Sequence, residues 1–397
     1  MNGKTIAVIA VVALLVIAGT ATAIILMQPK ESASYDAGAF NVVSRVNSEG
    51  SGLYIANSIV DGTGDAIKRN DTRFFGDDYT LSTANKAAWG GLILGDPGTQ
   101  SIQHTQLATI ASKVGLDFKK YTTGTSVSND TLYYVDGRAN YGQIIGDTNI
   151  MGGIIWEPQF QRVVQEAADK YTVLALTNDV FPDHACCVIA MNHDWLNANS
   201  DTAKKFLAGY VKAVDFINAA KINTVGDDYK WLVKFAVDSS GGTLDEAEVR
   251  VALTNITYLY ADDDGSLKDL TSGISTLASD LKDLGIITSD KFNDSDKLAK
   301  ALVNDSYIKD VLAGNVSKEG TASVTVAAIN GDIHQLAIQV AIEKGYFTEY
   351  GLSVNLNTGS SSGGDIADLL INGDVKIGFL GAPPATLKTI NGNHILV

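Results

Sequence analysis

Residues 321–397 alternate short apolar runs with helical segments, and this alternation constrains the fold more than any other feature of the chain. The runs at 324–329, 352–356 and 375–380 are rich in apolar and β-branched residues and are followed by asparagine or glycine, which is typical of strands. Between them, apolar side chains recur at helical spacing, as in the segment 336–341. Alternating strands and helices favour parallel strands with helices packed on the faces of the sheet, so we predict an α/β fold.

Each predicted strand is followed by a loop of small residues and then by a helix. The loops are 330–331, the serine–glycine run 360–364, and 381–384. In open parallel sheets, ligands bind beyond the carboxyl ends of the strands, and free N–H groups at helix N-termini attract anions. The loops therefore predict a crevice for an anion or an oxygen-rich solute, although glycine and serine are also common in ordinary turns.

The motifs of this C-terminal segment resemble the beginning of a known group of proteins. Residues 327–332 (AAINGD), 341–347 (AIEKGYF) and 371–384 are similar to the first elements of the nitrate/sulfonate/taurine group of ABC-transporter solute-binding proteins. The elements that follow in that group occur near the N-terminus of this chain, at 42–52, 96–104, 154–158 and 184–188. The resemblance covers roughly residues 40–397, and its motifs are cyclically shifted along the chain.

This resemblance implies a two-lobe, periplasmic-binding-protein-like (type II) fold in circularly permuted order. Lobe I would consist of residues 40–80 and 188–397, and lobe II of residues 81–187. Two chain crossings, near 76–90 and 176–188, would form the hinge, and its closure would enclose a solute between the lobes.

The resemblance and the loop pattern together predict a ligand site that draws on both lobes. Its residues are Asn330, Gly331, His334, Ser360, Ser361, Ser362, Gly381, Ala382, Glu49, Gly50, Ser51, Gly98, Thr99, Gln100, Trp156 and Glu157. Thr99 either caps the next helix or hydrogen-bonds the ligand, and Trp156 lies either in the core or in the cleft wall. Glu157 either caps a helix or accepts a hydrogen bond from an amine-bearing solute. Carboxylates of Asp332 and Glu49 facing the cleft would favour a zwitterion, such as an aminosulfonate, over nitrate.

The two ends of the shifted order, 40–46 and 394–397, are both apolar and are predicted to belong to one strand. The polar segment 315–322 would join the usual C-terminus of the group to its usual N-terminus. Three arrangements satisfy this pattern: one chain closing on itself, two chains exchanging segments as a swapped dimer, or a fragment of a tandem array.

The N-terminus predicts a membrane-directed segment. Residues 6–27 are uncharged and apolar, which is long enough to span a bilayer as a helix. Alternatively, residues 6–18 are the apolar region of a cleaved signal peptide. We interpret residues 1–30 as a signal anchor or signal peptide and 31–39 as a tether. Either interpretation places the folded part in the cell envelope, anchored at the outer face of the cytoplasmic membrane, or in a secreted or periplasmic form.

Charge and motifs limit the possible partners. The formal net charge is −15, from 45 acidic and 30 basic residues, which disfavours nucleic-acid binding. The sequence contains no GxxxxGK[ST] motif, so ATP hydrolysis would come from separate subunits. We predict the solute-binding component of an ABC importer, with a small anionic or zwitterionic solute and with permease and ATPase subunits as partners. We predict no catalytic residue, metal site or cofactor. The alternatives are an enzyme on the same fold, similar to the pyrimidine synthase of thiamine biosynthesis, and a solute-sensing ectodomain.

Two further segments have several interpretations. Cys186 and Cys187 are the two cysteines of the chain, and because they are adjacent they cannot join distant segments. They are small apolar side chains of a core strand, a vicinal disulfide, or metal-binding or catalytic thiols. The acidic run 262–264 with Gly265 lacks the remaining ligands of a calcium loop, so we predict a solvated turn.

Overall fold

Two six-stranded sheets organise the chain in a computed structural model that describes residues 34–35, 38–60, 71–182, 184–241, 244–289, 292–360, 362–391 and 395–396. The strands are β1 Ser34–Tyr35, β2 Phe40–Glu49, β3 Ser51–Ala56, β4 Ile93–Gly95, β5 Asp117–Lys120, β6 Thr131–Val135, β7 Gly152–Trp156, β8 Tyr171–Leu176, β9 Ala185–Asn192, β10 Ile256–Tyr258, β11 Ala322–Ile329, β12 Leu352–Ser360, β13 Ile377–Gly381 and β14 Ile395–Leu396.

Helices pack around both sheets. The α-helices are α1 Lys86–Trp89, α2 Ile102–Val114, α3 Tyr141–Ile145, α4 Gln159–Glu166, α5 Thr177–Val180, α6 His193–Ala198, α7 Ser200–Ile222, α8 Asp227–Ser239, α9 Glu246–Asn255, α10 Lys268–Asp283, α11 Ser295–Leu302, α12 Ser306–Leu312, α13 Leu336–Glu343, α14 Gly363–Asn372 and α15 Ala382–Asn391. Short 3-10 turns occupy Asp77–Tyr79, Thr83–Asn85, Ile333–Gln335 and Thr348–Tyr350.

The first sheet contains strands from both ends of the chain, in the order β10-β2-β9-β13-β11-β12. Strands β11, β12 and β13 are parallel, as the strand–helix alternation of residues 321–397 predicts. Strand β9 is antiparallel to both β13 and β2, so it connects the C-terminal strands to the N-terminal one. The predicted mixed α/β architecture is therefore confirmed, and the head and tail of the chain share one sheet.

The two ends of the predicted shifted order do not form one strand. Strand β14 pairs antiparallel with β1, with Ser34 opposite Leu396 and Tyr35 opposite Ile395. Strand β2 lies instead between β10 and β9, so both of its edges are already hydrogen-bonded and residues 395–396 have no edge to join. The prediction that 40–46 and 394–397 belong to the same strand is therefore wrong.

The second sheet has the order β5-β6-β4-β7-β3-β8. Strands β5, β6, β4 and β7 are parallel, while β3 is antiparallel to both of its neighbours. Separate apolar clusters fill the core of this unit. One cluster includes Leu94 and Ile110, and another includes Tyr54 and Phe160. A third and larger cluster contains Val46 and Phe379 and belongs to the first sheet.

We call the first sheet with α6–α15 lobe I, and the second sheet with α1–α5 lobe II. The chain crosses between them at Gly50, between β2 and β3, and again between β8 and β9. The second crossing falls in the predicted interval 176–188. The first crossing lies well before the predicted interval 76–90. The sequence-based boundary assigned residues 40–80 to lobe I, but β3 pairs with β7 and β8 and therefore belongs to lobe II.

Within the described residues, no helix has the length and apolar character needed to cross a bilayer. The predicted anchor or signal peptide at residues 1–30 lies outside the residues that the structure describes.

A buried ion pair anchors the centre of lobe I. Nη1 of Arg45, in β2, lies 2.8 Å from Oδ1 of Asp262, and their side chains are 8% and 3% exposed. The Asp262 carboxylate also accepts a hydrogen bond from the backbone N–H of Asp269 at 2.8 Å. The run 262–264 is therefore only partly the solvated turn that the sequence suggested, because its first carboxylate belongs to the core.

Candidate functional site

A cavity of about 740 Å³ lies between the two lobes. Lobe II lines it with the loop and helix start 97–103, with Asp136, Gly137 and Ala139, and with Trp156 at the end of β7. Lobe I lines it with Ile329, Asp332 and His334, with Cys186 and Cys187, and with residues from the starts of α14 and α15. We call this cavity the cleft.

Three helix N-termini border the cleft. Ser101 caps α2 by accepting a hydrogen bond from the backbone N–H of His104, and Ser362 caps α14 in the same way from Asp365. The third helix, α15, begins directly after Gly381 at the end of β13. The first turn of a helix has N–H groups without intrahelical acceptors, although Pro383 and Pro384 have no N–H in the first turn of α15. The helix starts together favour negatively charged or oxygen-rich groups in the cleft, and α2 and α14 supply most of the N–H donors.

The helix starts of the two lobes approach each other across the cleft. A Cβ atom placed on Gly364 would lie 2.8 Å from Oε1 of Gln100, which belongs to the opposite lobe. Gly98 has a φ of 140° with open space around its Cα, so the backbone of its loop faces the cavity without a side chain. Small residues at these positions leave backbone N–H groups accessible to a ligand.

The Asp96 carboxylate holds the cleft loop of lobe II, residues 97–100, in place. Its carboxylate accepts hydrogen bonds from the backbone N–H of Gly98 and from Nδ1 of His104, each at 2.8 Å. Both side chains are buried, with 0% and 4% exposure. The pair fixes the loop that carries Thr99 and Gln100 relative to helix α2.

His334 joins the lobe I wall of the cleft to the chain crossing at Gly50. Its Nδ1 lies 2.9 Å from Oδ1 of Asp332, and its Nε2 lies 2.8 Å from the carbonyl oxygen of Gly50. Both neighbours are hydrogen-bond acceptors, so both ring nitrogens donate and the ring is an imidazolium. Burial alone would lower the pKa of His334, but the Asp332 carboxylate, the Cys186 sulfur and the Gly50 carbonyl raise it to about 9.

Glu157 lies behind the hinge and does not line the cleft. Its backbone N–H donates to the Gly50 carbonyl at 2.7 Å. Its buried carboxylate accepts from Nδ2 of Asn255 in lobe I at 2.7 Å, and from the side chain and the backbone N–H of Gln161 at 3.1 and 3.3 Å. Burial raises the pKa of Glu157, and these donors and His334 oppose that effect. The carboxylate therefore holds α4 and joins the two lobes.

The structure brings part of the predicted ligand set together. The predicted residues that line the cleft are Gly98, Thr99, Gln100, Trp156, His334, Ser362 and Gly381. Ser361 lies outside the described residues.

The other predicted residues lie next to the cleft and have other partners. Glu49 accepts a hydrogen bond from Thr257 at 3.4 Å, and the Ser51 hydroxyl accepts one from Gln103 at 2.9 Å. The Gly50 carbonyl accepts hydrogen bonds from Nε2 of His334 and from the backbone N–H of Glu157. Ala382 is fully buried in α15. Asn330 and Gly331 form the turn that follows β11, and the Asn330 N–H donates at 3.4 Å to the carbonyl of Ser360, the last residue of the neighbouring parallel strand β12.

Among the charged residues of the cleft, His334 was predicted from the sequence as a ligand residue and Asp332 as a carboxylate that favours a zwitterion if it faces the cleft, while the others were not identified. Nζ of Lys388 lies 2.6 Å from Asp368, and Asp136 pairs with Lys120 at 2.9 Å. Asp365 also lines the cavity. A sequence signal for Lys388 exists in hindsight, because it lies two turns after the start of the helix that follows the 381–384 loop. The carboxylates outnumber the cations, so the cleft is not a simple anion pocket.

The C-terminal segment matches a known family. Residues 333–397 match a family model described as NMT1/THI5 like. That family covers ABC-transporter solute-binding proteins of the nitrate/sulfonate/taurine group. The matched segment contains His334 and the starts of α14 and α15, so it supplies most of the lobe I wall of the cleft. No curated protein matches the chain.

Proposed function

We propose that this chain is the extracytoplasmic solute-binding component of an ABC importer and that it holds a small solute between its two lobes. One observation carries the proposal: three helix N-termini from two lobes converge on a single cavity of about 740 Å³. A cavity of this size accommodates a small molecule, and helix starts bind anionic groups without a bound metal. The match of residues 333–397 to a family that includes such receptors supports the same role.

The charges of the cleft favour a zwitterion over a simple anion. The helix starts at Ser101, Ser362 and Gly381 suit a carboxylate or sulfonate group. The carboxylates that border the same cavity, of which Asp136 is paired with Lys120, outnumber the cations there and suit an amine. We therefore propose a solute of the taurine type, with an acidic and a basic end, in preference to nitrate.

The hinge at Gly50 and between β8 and β9 would close the lobes around the solute, and the closed form would dock on permease and ATPase subunits at the outer face of the membrane. In this role the solute leaves the cleft chemically unchanged, and the chain is not an enzyme. The cyclically shifted order would place the usual beginning of the fold at β11.

A thermal-shift screen of inorganic anions, sulfonates and amino acids tests the proposal. A solute present at about 100 times its dissociation constant stabilises the folded state by about 2.7 kcal/mol. The matched pair of variants is Gly381→Leu, which fills the cleft, and Gly359→Leu, which places the same side chain on the exposed edge strand β12.

We expect Gly381→Leu to lose the shift and Gly359→Leu to keep it. Equal shifts in both variants, or no shift with any solute of the three classes, would contradict the proposed site. Mass spectrometry of the recovered solute adds a second criterion, because a chemically altered compound would indicate an enzyme instead of a receptor.

A further inference from the structure

Cys186 and Cys187 form a pair of thiols at the base of the cleft. Both residues line the cavity, and their sulfur atoms lie 3.9 Å apart without a disulfide bond. Neighbouring side chains of a regular strand point to opposite faces of the sheet. Here the register between β9 and β2 shifts on both sides of Asn47, the residue opposite Cys187. The irregular pairing accompanies an arrangement in which both cysteines line the cleft and their sulfur atoms lie close together.

Two histidines flank the thiols. Nδ1 of His184 donates to the Phe181 carbonyl at 2.9 Å. Its Nε2 is buried, and His184 is one of the groups that lower the pKa of Cys186. On the other side, the His334 imidazolium supplies a positive charge that favours a thiolate at Cys186.

The two thiols differ in acidity. The hydrogen bond from Cys187 lowers the pKa of Cys186 well below its ordinary value, and His184 and His334 add to this effect against the opposing effect of burial. The same hydrogen bond, burial and the charge on Cys186 raise the pKa of Cys187. A thiolate next to a protonated thiol is the arrangement of an attacking and a resolving cysteine.

The cleft gives a small reagent access to the pair. Cys187 pairs directly with Gly381 of β13, which has no side chain to cover the sulfur. A Cβ atom at Gly381 would lie 3.2 Å from Pro384, so a larger residue there would fill the space next to Cys187. The thiols themselves are only 6% and 9% exposed, which limits reaction to molecules that enter the cleft.

We propose that Cys186 and Cys187 carry out thiol–disulfide exchange with a low-molecular-weight disulfide that enters the cleft. The Cys186 thiolate attacks one sulfur of the disulfide RSSR, its S–S bond breaks, and the first RS⁻ leaves and takes up a proton. Cys187 then attacks the Cys186 sulfur, loses its proton, and releases the second RS⁻, which is protonated in turn. RSSR is reduced to two RSH, and the two cysteines are oxidised to one disulfide.

The disulfide between Cys186 and Cys187 is expected to be easily reduced. A disulfide between adjacent residues joins Cα atoms about 3.8 Å apart, below the usual range of roughly 4.4–6.8 Å, and such bonds are strained and easily reduced. The pair would therefore return to the dithiol form with an external thiol. This chemistry depends on the geometry of the cleft and is independent of the identity of a transported solute.

The experiment uses the reduced full-length chain and dithiodipyridine, a small aromatic disulfide that releases a coloured thiopyridone for each thiol that reacts. Because the chain has two cysteines, the stoichiometry is unambiguous. We expect the wild type to release two thiopyridones per chain and to carry no adduct, with a mass lower by two hydrogen atoms. Cys187→Ser should release one thiopyridone and retain a stable mixed disulfide. Cys186→Ser should react at least about tenfold more slowly.

Variants of the cleft separate reaction at this site from reaction of an unfolded fraction. Gly381→Leu should slow the wild-type reaction, while Gly359→Leu on the exposed edge strand should not. Thermal unfolding of each variant shows that it is folded. Two retained adducts on the wild type, equal rates for Cys186→Ser and Cys187→Ser, or native thiols that do not react would each overturn the proposal. If the chain forms the disulfide but binds no solute, the receptor role would be refuted and the proposed thiol–disulfide exchange would stand.

Discussion

The protonated His334 should make the stability of this protein depend on pH above neutrality. Its folded-state pKa of about 9 exceeds the ordinary value of 6.5. The folded state therefore binds the proton more tightly than the unfolded state, so the stabilisation is present in full below pH 6.5 and is lost as the pH rises through 9. The difference between these two pKa values, at about 1.4 kcal/mol per pH unit, corresponds to a loss of about 3 kcal/mol.

The assay is urea unfolding of the wild type and of His334→Gln, measured at intervals from about pH 6 to pH 10. The glutamine amide is polar but does not titrate, so the difference between the two curves isolates the contribution of this histidine. His193→Gln provides a matched control, because His193 lies in α6 outside the cleft lining.

We expect the free energy of unfolding of the wild type to fall relative to His334→Gln by about 3 kcal/mol over that interval. The His193→Gln curve should run parallel to that of the wild type. A constant difference between wild type and His334→Gln across the whole pH range would refute the imidazolium, and with it the positive charge that we place next to Cys186.

Two further predictions concern buried polar contacts. Arg45→Met should destabilise the fold by about 3–5 kcal/mol in chemical denaturation, because it leaves the Asp262 carboxylate buried without its cation; a loss below about 1 kcal/mol would mean that water reaches the carboxylate. Asn255→Ala should cost about 2 kcal/mol by removing the 2.7 Å hydrogen bond to the buried Glu157 carboxylate. In a double-mutant cycle with Glu157→Ala, additive effects would show that this contact between the lobes contributes no coupling energy.

The features that the sequence predicts well are local. The loops that end β11, β12 and β13 follow from apolar runs that stop at small residues, and both the loop type and the helix start are determined by a few adjacent positions. The same local logic places Ser362 and Gly381 at the cleft, because the carboxyl ends of parallel strands face the same edge of a sheet.

The features that the sequence did not predict depend on contacts between distant segments. The sequence predicts that β3 continues β2 in lobe I, and only its pairing with β7 and β8 shows that it belongs to lobe II. Glu157 has the pattern of an exposed helix-capping residue, yet Asn255, almost a hundred positions away, reaches its carboxylate. Asp262 is likewise the first member of an acidic run that looks solvated until Arg45 is placed against it. No local signal distinguishes these carboxylates from surface ones.

Gly50 connects the hinge, the cleft and the charge of His334. Its carbonyl accepts hydrogen bonds from Nε2 of His334 in lobe I and from the backbone N–H of Glu157 in lobe II. The residue has a φ of 85°, and a Cβ atom would lie 2.3 Å from that same Nε2 and 2.8 Å from Ile256. An alanine there is strained in its backbone and also displaces the imidazolium.

The variant Gly50→Ala can be compared with Gly314→Ala, whose φ is 81° and whose Cβ atom would have no neighbour within 4 Å. Gly314→Ala should lower the free energy of unfolding only by the cost of placing an alanine in a left-handed backbone conformation, about 1 kcal/mol. Gly50→Ala should lose that amount together with part of the contribution of His334, because the Gly50 carbonyl is the smallest of the groups that raise the His334 pKa, so its unfolding free energy should fall less than that of the wild type between neutral pH and about pH 9. If both variants lost the same stability and kept the same pH dependence, His334 would not be held by the hinge, and the shared carbonyl would not join the two lobes.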